Sequence, residues 1–316
     1  MKKFLGFLFI IPILHSSVQA ADKIRIGFSA LIASYSSLPL GQKKGFLQEE
    51  GLQAEFIRMT ATVGLATLVT GEIDYYTSIG PGVAAAIRGV PVKISACYVP
   101  GPTATLVARP EFKSVQELRG KTIGIDVFGS NLSIIARNVF KHSGLDPDKE
   151  VKFLAAGPLE ARFSSMKQGL IAATLGGPPT DFLGKKMGFV VLARAHELFS
   201  FPVTGIVTTD KKIKERPDEV KRVIKAGIKA NRYIRQNRDG TIQVFMEWMK
   251  IDKEMATATY DSVGKAFNED GSLPEDGLRL LIDEAKKTAK INREIISSEV
   301  VDLSILREAQ KELGIK

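Results

Sequence analysis

Short apolar runs alternate with stretches of helical periodicity over the first 200 residues. "KIRIGFS", "LQAEFIRM", "DYYTSIG", "VKISACYV" and "ATLVARP" are short, rich in β-branched or aromatic residues, and bounded by turn formers, so they predict strands. Between them "LPLGQKKGFLQEEG", "VGLATLVTG" and "PGVAAAIRGV" carry apolar residues at helical spacing and end in or near glycine. The order restarts at "KTIGIDV" and runs through "EVKFLAA", "IAATLGG", "FVVLARA" and "VTGIVTTD"; from Pro217 onward the pattern is mainly helical. Such alternation predicts an α/β fold of two lobes, each a mostly parallel sheet flanked by helices, with a helical tail.

The natural break falls in "LVARPEFKSVQELRGK", where Pro110 interrupts an extended segment. A second extended stretch, "FPVTGIVTTD", covers 201–210. Two extended crossings around one lobe make a paired hinge. The expected division is lobe one from 21–107 and 205–316, and lobe two from 108–204. No internal repeat or low-complexity tract interrupts this order.

Residues 1–20 change the picture at the N-terminus. Lys2 and Lys3 precede an apolar run over 4–14, and Val18 and Ala20 supply the small residues of a signal-peptidase site before Ala21. The run is too short to span a bilayer, so a cleaved signal peptide and a periplasmic mature protein are expected. The remaining 296 residues (316 less 20) exceed one hydrophobic core. The lone Cys97 excludes an internal disulfide and reads as a buried small hydrophobe. The formal charge is +9, and much of the excess lies in "KKIKERPDEVKRVIKAGIKANRYIRQNR". As a helix this segment buries a Val220, Val223, Ile224, Ile228 and Ile234 stripe and leaves its lysines and arginines on a solvated face. An exported chain rarely meets nucleic acid, so no nucleic-acid partner is expected.

Catalytic machinery is not visible. His142 and His196 lack spaced metal-ligand partners, and there is no G-x-S-x-G elbow. "GKT" at 120–122 lacks the first glycine of a phosphate loop, Val115 standing in its place, and it precedes a strand rather than a helix. No cofactor, metal or enzymatic activity is expected. What the chain offers is four strand-to-helix turns: "RMTATVGLATL", "TSIGPGVAAAI", "DVFGSNLSII" and "ATLGGPPTDFL". In the second, Gly80 is expected at the cap and Pro81 at the first helical position; in the third, Ser130 is the expected N-cap. Helix N-termini at the carboxyl ends of strands present unpaired N–H donors, which suits an anion.

Several long stretches resemble one family. "GQKKGFLQEEGLQAEFI", "TLVTGEIDYYTSIGPGVAAAIRGVPVK", "SVQELRGKTIGIDVFGSNLSIIARNVFKHSGLDPDKEVKFLAAG", "RFSSMKQGLIAATLGGPP" and the tail "DLSILREAQKELG" resemble the periplasmic substrate-binding proteins of nitrate/sulfonate/taurine-type ABC transporters, whose fold is shared with thiamine-pyrimidine synthases. The resemblance implies the type II periplasmic-binding-protein-like fold, two lobes joined by two crossing strands. It also implies a small-molecule ligand, delivery to a membrane permease with its cytosolic ATPase, and a monomer.

By position, the resemblance implies a cleft lined by Ser34, Tyr35, Thr60, Ala61, Thr62, Ser78, Ile79, Gly80 and Tyr98 from lobe one. Lobe two would contribute Gly129, Ser130, Asn131, Arg162, Pro178 and Pro179. Arg58 lies at a strand end, and Arg88 fits a helix C-terminus. The turns favour a sulfonate, a carboxylate or a small oxyanion. Asp126, if turned inward, admits a zwitterion such as taurine, and Tyr35, Tyr98, Phe128, Phe163 and Phe182 are candidates for an aromatic wall that would admit a pyrimidine. Glycine in "TLGGPP" stands where the family commonly has a bulkier residue, which implies a larger pocket than a nitrate site. A sensory protein signalling through a membrane receptor is the alternative from another class.

Overall fold

A computed structural model describes residues 21–128 and 130–315. The expected signal peptide at 1–20 lies outside them. Ten strands form: β1 (Asp22–Phe28), β2 (Leu52–Arg58), β3 (Tyr75–Ser78), β4 (Val92–Val99), β5 (Thr105–Ala108), β6 (Thr122–Ile125), β7 (Lys152–Ala155), β8 (Ala173–Gly176), β9 (Val190–Arg194) and β10 (Thr204–Thr209). Each coincides with one of the apolar runs. Alternation decides the local fit in β1, where Ile24 and Ile26 are buried while Lys23 and Arg25 face water.

The strands make two five-stranded sheets of matching order, β2-β1-β3-β10-β4 and β7-β6-β8-β5-β9. In the first, β1 pairs in parallel with β2 and β3, and β10 runs antiparallel to both β3 and β4. In the second, β6 pairs in parallel with β7 and β8, and β5 runs antiparallel to both β8 and β9. Each sheet therefore holds four parallel strands and one reversed strand that arrives from the other sheet. The chain leaves the first sheet from the C-terminal end of β4 and the second from the C-terminal side of β9. Because β4 is parallel to β1–β3 and β9 to β6–β8, the C-terminal ends of all eight strands face the opposite sheet.

This topology moves the expected break. β5 pairs wholly within the second sheet, so the change of sheet occurs between Val99 and Thr105, and a boundary at 107/108 would cut through a strand. Pro110 interrupts the chain after the crossing because a proline inside β5 would remove a ladder donor. The return crossing lies at 199–203, ahead of β10.

Both crossings are packed. One apolar cluster runs through Cys97, Leu106, Phe201, Leu278 and Leu281, so the core is continuous from one sheet to the other. Burial pushes the Cys97 thiol well above its usual pKa, as expected for a core residue. The free edge of β4 is covered by the C-terminal region: Cys97 N–H donates to Gly271 O at 2.8 Å, and Asp302 N–H to Ile94 O at 3.0 Å.

The basic helix Pro217–Gln236 buries the expected stripe, but its polar side is not simply solvated. Lys221 bonds Glu312 at 2.8 Å, Lys225 and Lys229 bond the buried Glu50 at 2.9 and 2.8 Å, and Arg222 bonds Asp22 at 2.6 Å. The charges form a ladder that fastens the C-terminal helix Ser304–Glu312, the turn at Glu50 and the start of β1 onto one face.

Candidate functional site

In each sheet one strand, β1 or β6, lies between the two strands that follow it in the chain, so successive connections leave it in opposite directions. That reversal opens a crevice at the strand ends, the usual ligand position in open α/β sheets. In lobe one it lies between β1 and β3. Four hydroxyls meet there: Ser29 Oγ lies 2.6 Å from Tyr76 OH and 2.8 Å from Ser78 Oγ, which lies 2.8 Å from Tyr35 OH. Three hydrogen bonds among four hydroxyls use three protons, which leaves one O–H to donate elsewhere. Burial raises the Tyr35 phenol above its ordinary pKa, so it remains a neutral donor.

The corresponding crevice in lobe two lies between β6 and β8. Arg162, in the first turns of the helix Leu159–Lys167, is only 4% exposed. Its Nε donates to Gly157 O at 3.0 Å, and its Nη1 donates to Thr174 Oγ1 at 2.8 Å and to Leu175 O. These bonds fix the guanidinium across the ends of β7 and β8. Burial lowers its pKa, and the charges of Asp126 and Glu160 oppose that shift. Asp126, just past β6, accepts from Ser130 Oγ at 2.6 Å. Ser130 is the N-cap as expected, its Oγ accepting from Ser133 N–H at 3.0 Å, so its hydroxyl proton and one acceptor site are already in use.

The two crevices are built to one plan. Gly27 of β1 pairs with Tyr76 of β3, and Gly124 of β6 pairs with Thr174 of β8. A Cβ on Gly27 would meet Ile73 Cδ1 at 2.8 Å, and one on Gly124 would meet Ile171 Cδ1 at 2.4 Å. Asp74 N–H bonds Arg25 O as Ala172 N–H bonds Thr122 O, at 2.9 and 2.8 Å. The chain therefore contains a structural repeat, against the sequence-based expectation of none. Ser29 corresponds to Asp126, Tyr76 to Thr174 and Gly64 to Arg162.

The remaining expected residues divide. Thr60 is the N-cap of the helix Ala61–Thr70, and Thr60, Ala61 and Thr62 present the open first turn beside β2. Pro178 and Pro179 are half-buried where β8 leads into the helix Thr180–Lys186. A Cβ placed on Gly177 would meet no atom within 4 Å, so this turn borders open space. Of Asn131 only its place as the first residue of the helix Asn131–His142 is described, and Gly129 lies outside the described residues.

Four expectations are corrected. Gly80 is not a cap: Ser78 takes that position, the helix Ile79–Ala86 starts two residues earlier than expected, and Pro81 is its third residue. Ile79 is buried with its N–H on Val203 O at 3.1 Å, so this turn is bolted to the return crossing. Ser34 is likewise buried in side-chain bonds: its Oγ meets Thr103 Oγ1 at 3.0 Å and its carbonyl accepts from Thr204 Oγ1 at 2.7 Å. Tyr98 points to the far face, buried with its OH on Val223 O at 3.2 Å.

The aromatic wall does not assemble. Phe163 stacks on Phe189 in the lobe-two core with ring centroids 5.6 Å apart, while Phe128 is exposed. Phe182 instead lines a groove of about 400 Å³ against Lys253, Thr257 and Ala258 of the C-terminal region, beside a cross-lobe bond of 2.5 Å from Lys186 to Glu254. Arg88 donates to Ala84 O within its own helix turn, and Arg58 is exposed at the end of β2. Sequence reasoning passed over Ser29, Tyr76 and Thr174. The signal was available in aligning "GEIDYYTSIGP" with "GLIAATLGGPP", which match in their glycine, isoleucine and proline spacing.

A family model described as NMT1/THI5 like matches residues 34–240, which is most of the chain. The chain belongs to the NMT1/THI5-like family. A Brucella abortus (strain 2308) protein named "Putative binding protein" is 25% identical over 244 residues, 75% of each chain. Among solved structures, the periplasmic aliphatic sulphonate binding protein SsuA from Escherichia coli has a TM-score of 0.70 at 15% identity, covering 89% of this chain and 92% of its own. The periplasmic nitrate-binding protein NrtA from Synechocystis PCC 6803 has a TM-score of 0.67 at 15% identity, covering 93% of this chain and 89% of its own. At these identities the likeness establishes the fold: this family member has the two-lobed periplasmic-binding-protein architecture.

Proposed function

We propose that this chain is the extracytoplasmic solute-binding component of an ABC importer, that it holds a small organic anion or zwitterion between its lobes without transforming it, and that it passes the solute to a membrane permease with a cytosolic ATPase. One observation carries the reading: two polar clusters stand at corresponding switch points of two sheets whose strand ends face each other. The neutral hydroxyl quartet of lobe one supplies a donor. Lobe two supplies a fixed guanidinium whose Nη2 has no protein partner among the described residues, with Asp126 and Ser130 beside it. A carboxylate or sulfonate head suits the donors, and Asp126 offers an acceptor for an amino group. The names of the sulphonate-, nitrate- and otherwise unspecified binding-protein relatives support the class. The reading includes export, with residues 1–20 removed, a monomeric mature chain, and a site formed by Tyr35, Ser78, Thr60, Ala61, Thr62, Ser130, Asn131, Arg162, Pro178 and Pro179, to which Ser29 and Asp126 are added.

A thermal-shift panel of sulfonates, carboxylates, amino acids and inorganic oxyanions on the mature protein tests this reading, since a bound solute raises the melting temperature. At least one organic anion or zwitterion is expected to bind, with Ser78→Ala weakening it about tenfold, roughly 1.4 kcal/mol. A panel with no binder, or turnover of a bound compound, overturns it. Intact mass of periplasmic material starting anywhere other than Ala21 overturns the cleavage site.

A further inference from the structure

The lobes meet along two seams, and consecutive strand residues show that these lie on opposite faces. In β5, Leu106 packs with Ile135 and Val139 of the helix Asn131–His142, whereas Val107 packs with Phe163 and with Leu183 of the helix Thr180–Lys186. In β4, Cys97 packs with Leu278 and Leu281 of the helix Glu275–Ala289, whereas Tyr98 packs with Val223 and Ile228 of the long helix Pro217–Gln236. The far end of that long helix, at Ala230 and Ile234, clusters with Ala256 and Val263 of the helix Lys253–Val263. Neighbouring strand residues point to opposite faces, so one seam joins Thr180–Lys186 to Lys253–Val263 and the other faces Asn131–His142 towards Glu275–Ala289.

The first seam is closed. Lys186 bonds Glu254 at 2.5 Å and stands 4.6 Å over the ring of Phe182, which borders Thr257 and Ala258. The second seam is open. Two grooves of about 490 and 570 Å³ run between its helices and share Lys141. Lobe two presents Lys141 there, and lobe one presents Asp276, Asp283 and Glu284; none of these four has an ion pair among the described residues. Arg279 lines the same side but is engaged by Glu275, and Lys287 is the other cation of that wall. The return crossing borders this seam: Phe199 and Ser200 line it, and Phe199 stacks on His142 with ring centroids 4.8 Å apart.

We infer that the two seams are alternative seats of one rocking motion about the crossings. The Lys186–Glu254 pair is a latch that holds the arrangement seen here, and its release lets Lys141 close on Asp283 and Glu284. The crossings run between the two faces, so a rotation that widens one seam narrows the other. Narrowing the open seam brings a cation of one lobe towards carboxylates of the other, which is attractive. The latch is also weak enough to be reversible. Its Lys186 and Glu254 side chains are 52% and 62% exposed, and an exposed ion pair shifts an equilibrium by about fivefold at most.

Pulsed dipolar spectroscopy on the mature protein tests the latch. Cys97 is fully buried, so spin labels go only onto Lys149→Cys and Thr288→Cys, one beside each wall of the open seam. Lys186→Met is expected to raise the population at short label separations about threefold, within the range of an exposed pair. Glu254→Ala should do the same and the double variant should go no further, because all three break one pair. Lys186→Arg, which keeps the cation, should match the unsubstituted protein, and adding Lys141→Gln to Lys186→Met should cancel the gain. The substituted side chains are exposed, so unchanged melting temperatures serve as the folding control. An unchanged distribution in Lys186→Met, or additive shifts in the double variant, overturns the latch. A gain that survives Lys141→Gln overturns the second seat. The measurement uses no solute, so either failure is distinct from failure of the solute-binding reading.

Discussion

The two switch points share a backbone and divide bulk and charge in opposite ways. In lobe one the helix contributes Gly64 and the strand contributes Tyr76, whose ring lies over the glycine so closely that an added Cβ would approach it to 2.4 Å. In lobe two the helix contributes Arg162 and the strand contributes Thr174, and the long side chain now comes from the helix. Past β1, lobe one has Ser29, and past β6, lobe two has Asp126. One crevice is consequently neutral and hydroxylic, and the other holds a guanidinium and a carboxylate. One scaffold can carry either chemistry because the volume between helix and strand needs filling only once, from either side.

The sharpest way to break this comparison is Arg162→Met. It leaves Gly157 O and Leu175 O without their buried donor, and a loss of about 3 kcal/mol in denaturant unfolding is expected. A loss under about 1 kcal/mol would mean that the guanidinium does not organise lobe two. Gly64→Ala is expected to cost about 2 kcal/mol, because the Tyr76 ring is hemmed in and the methyl forces overpacking. That cost should shrink in a Tyr76→Thr background, which gives lobe one the strand residue of lobe two. Additive effects would refute the exchange of bulk between helix and strand. Tyr76→Phe, removing only the bond to Ser29, is expected to cost about 1 kcal/mol, measurable in the same assay.

The smallest effect concerns the ion-pair ladder of lobe one. Hydrogen bonds from Lys221 and then Lys225 hold the Glu312 carboxyl below the usual carboxylate range. A depressed folded pKa means that this stabilisation is present above the unfolded pKa near 4 and is lost as pH falls through the folded value. The Glu312 carboxylate is solvent-accessible, its side chain 43% exposed, so Glu312→Gln should cost only about 0.5 kcal/mol at neutral pH, with no difference from wild type near pH 2. A difference that persisted in acid would point to packing rather than charge.

Much of the fold was legible because strand and helix periodicities are local. All ten strands coincide with predicted runs, and the Ser130 cap follows from a serine standing between a strand and a helical repeat. The face each residue takes was harder to read. Tyr98 sits in a strand buried on both sides, where no polar alternation tells inward from outward, and it turned to the outer helices. Ser34 was placed near the gap by position, yet its two partners come from 69 and 170 residues away, one on the first crossing and one at the start of β10. The basic stripe of the long helix was visible, but its acidic partners lie in segments that only folding brings alongside.

By itself the sequence determined the order of elements, the division into two α/β lobes and the strand-to-helix turns, because hydrophobic period, glycine and proline act within a few residues. The tertiary structure alone decided which hydroxyls meet at the first switch point and that Arg162 is fixed across the second. It also decided that Tyr98 turns to the core and that Ser34 bonds Thr103 and Thr204. Those choices depend on strand register and, for the hydroxyls and Ser34, on contacts between residues 40 to 170 positions apart, whereas the partners of Arg162 lie 5 to 13 positions away but on separate elements. A one-residue shift there turns every side chain to the opposite face without altering the local pattern.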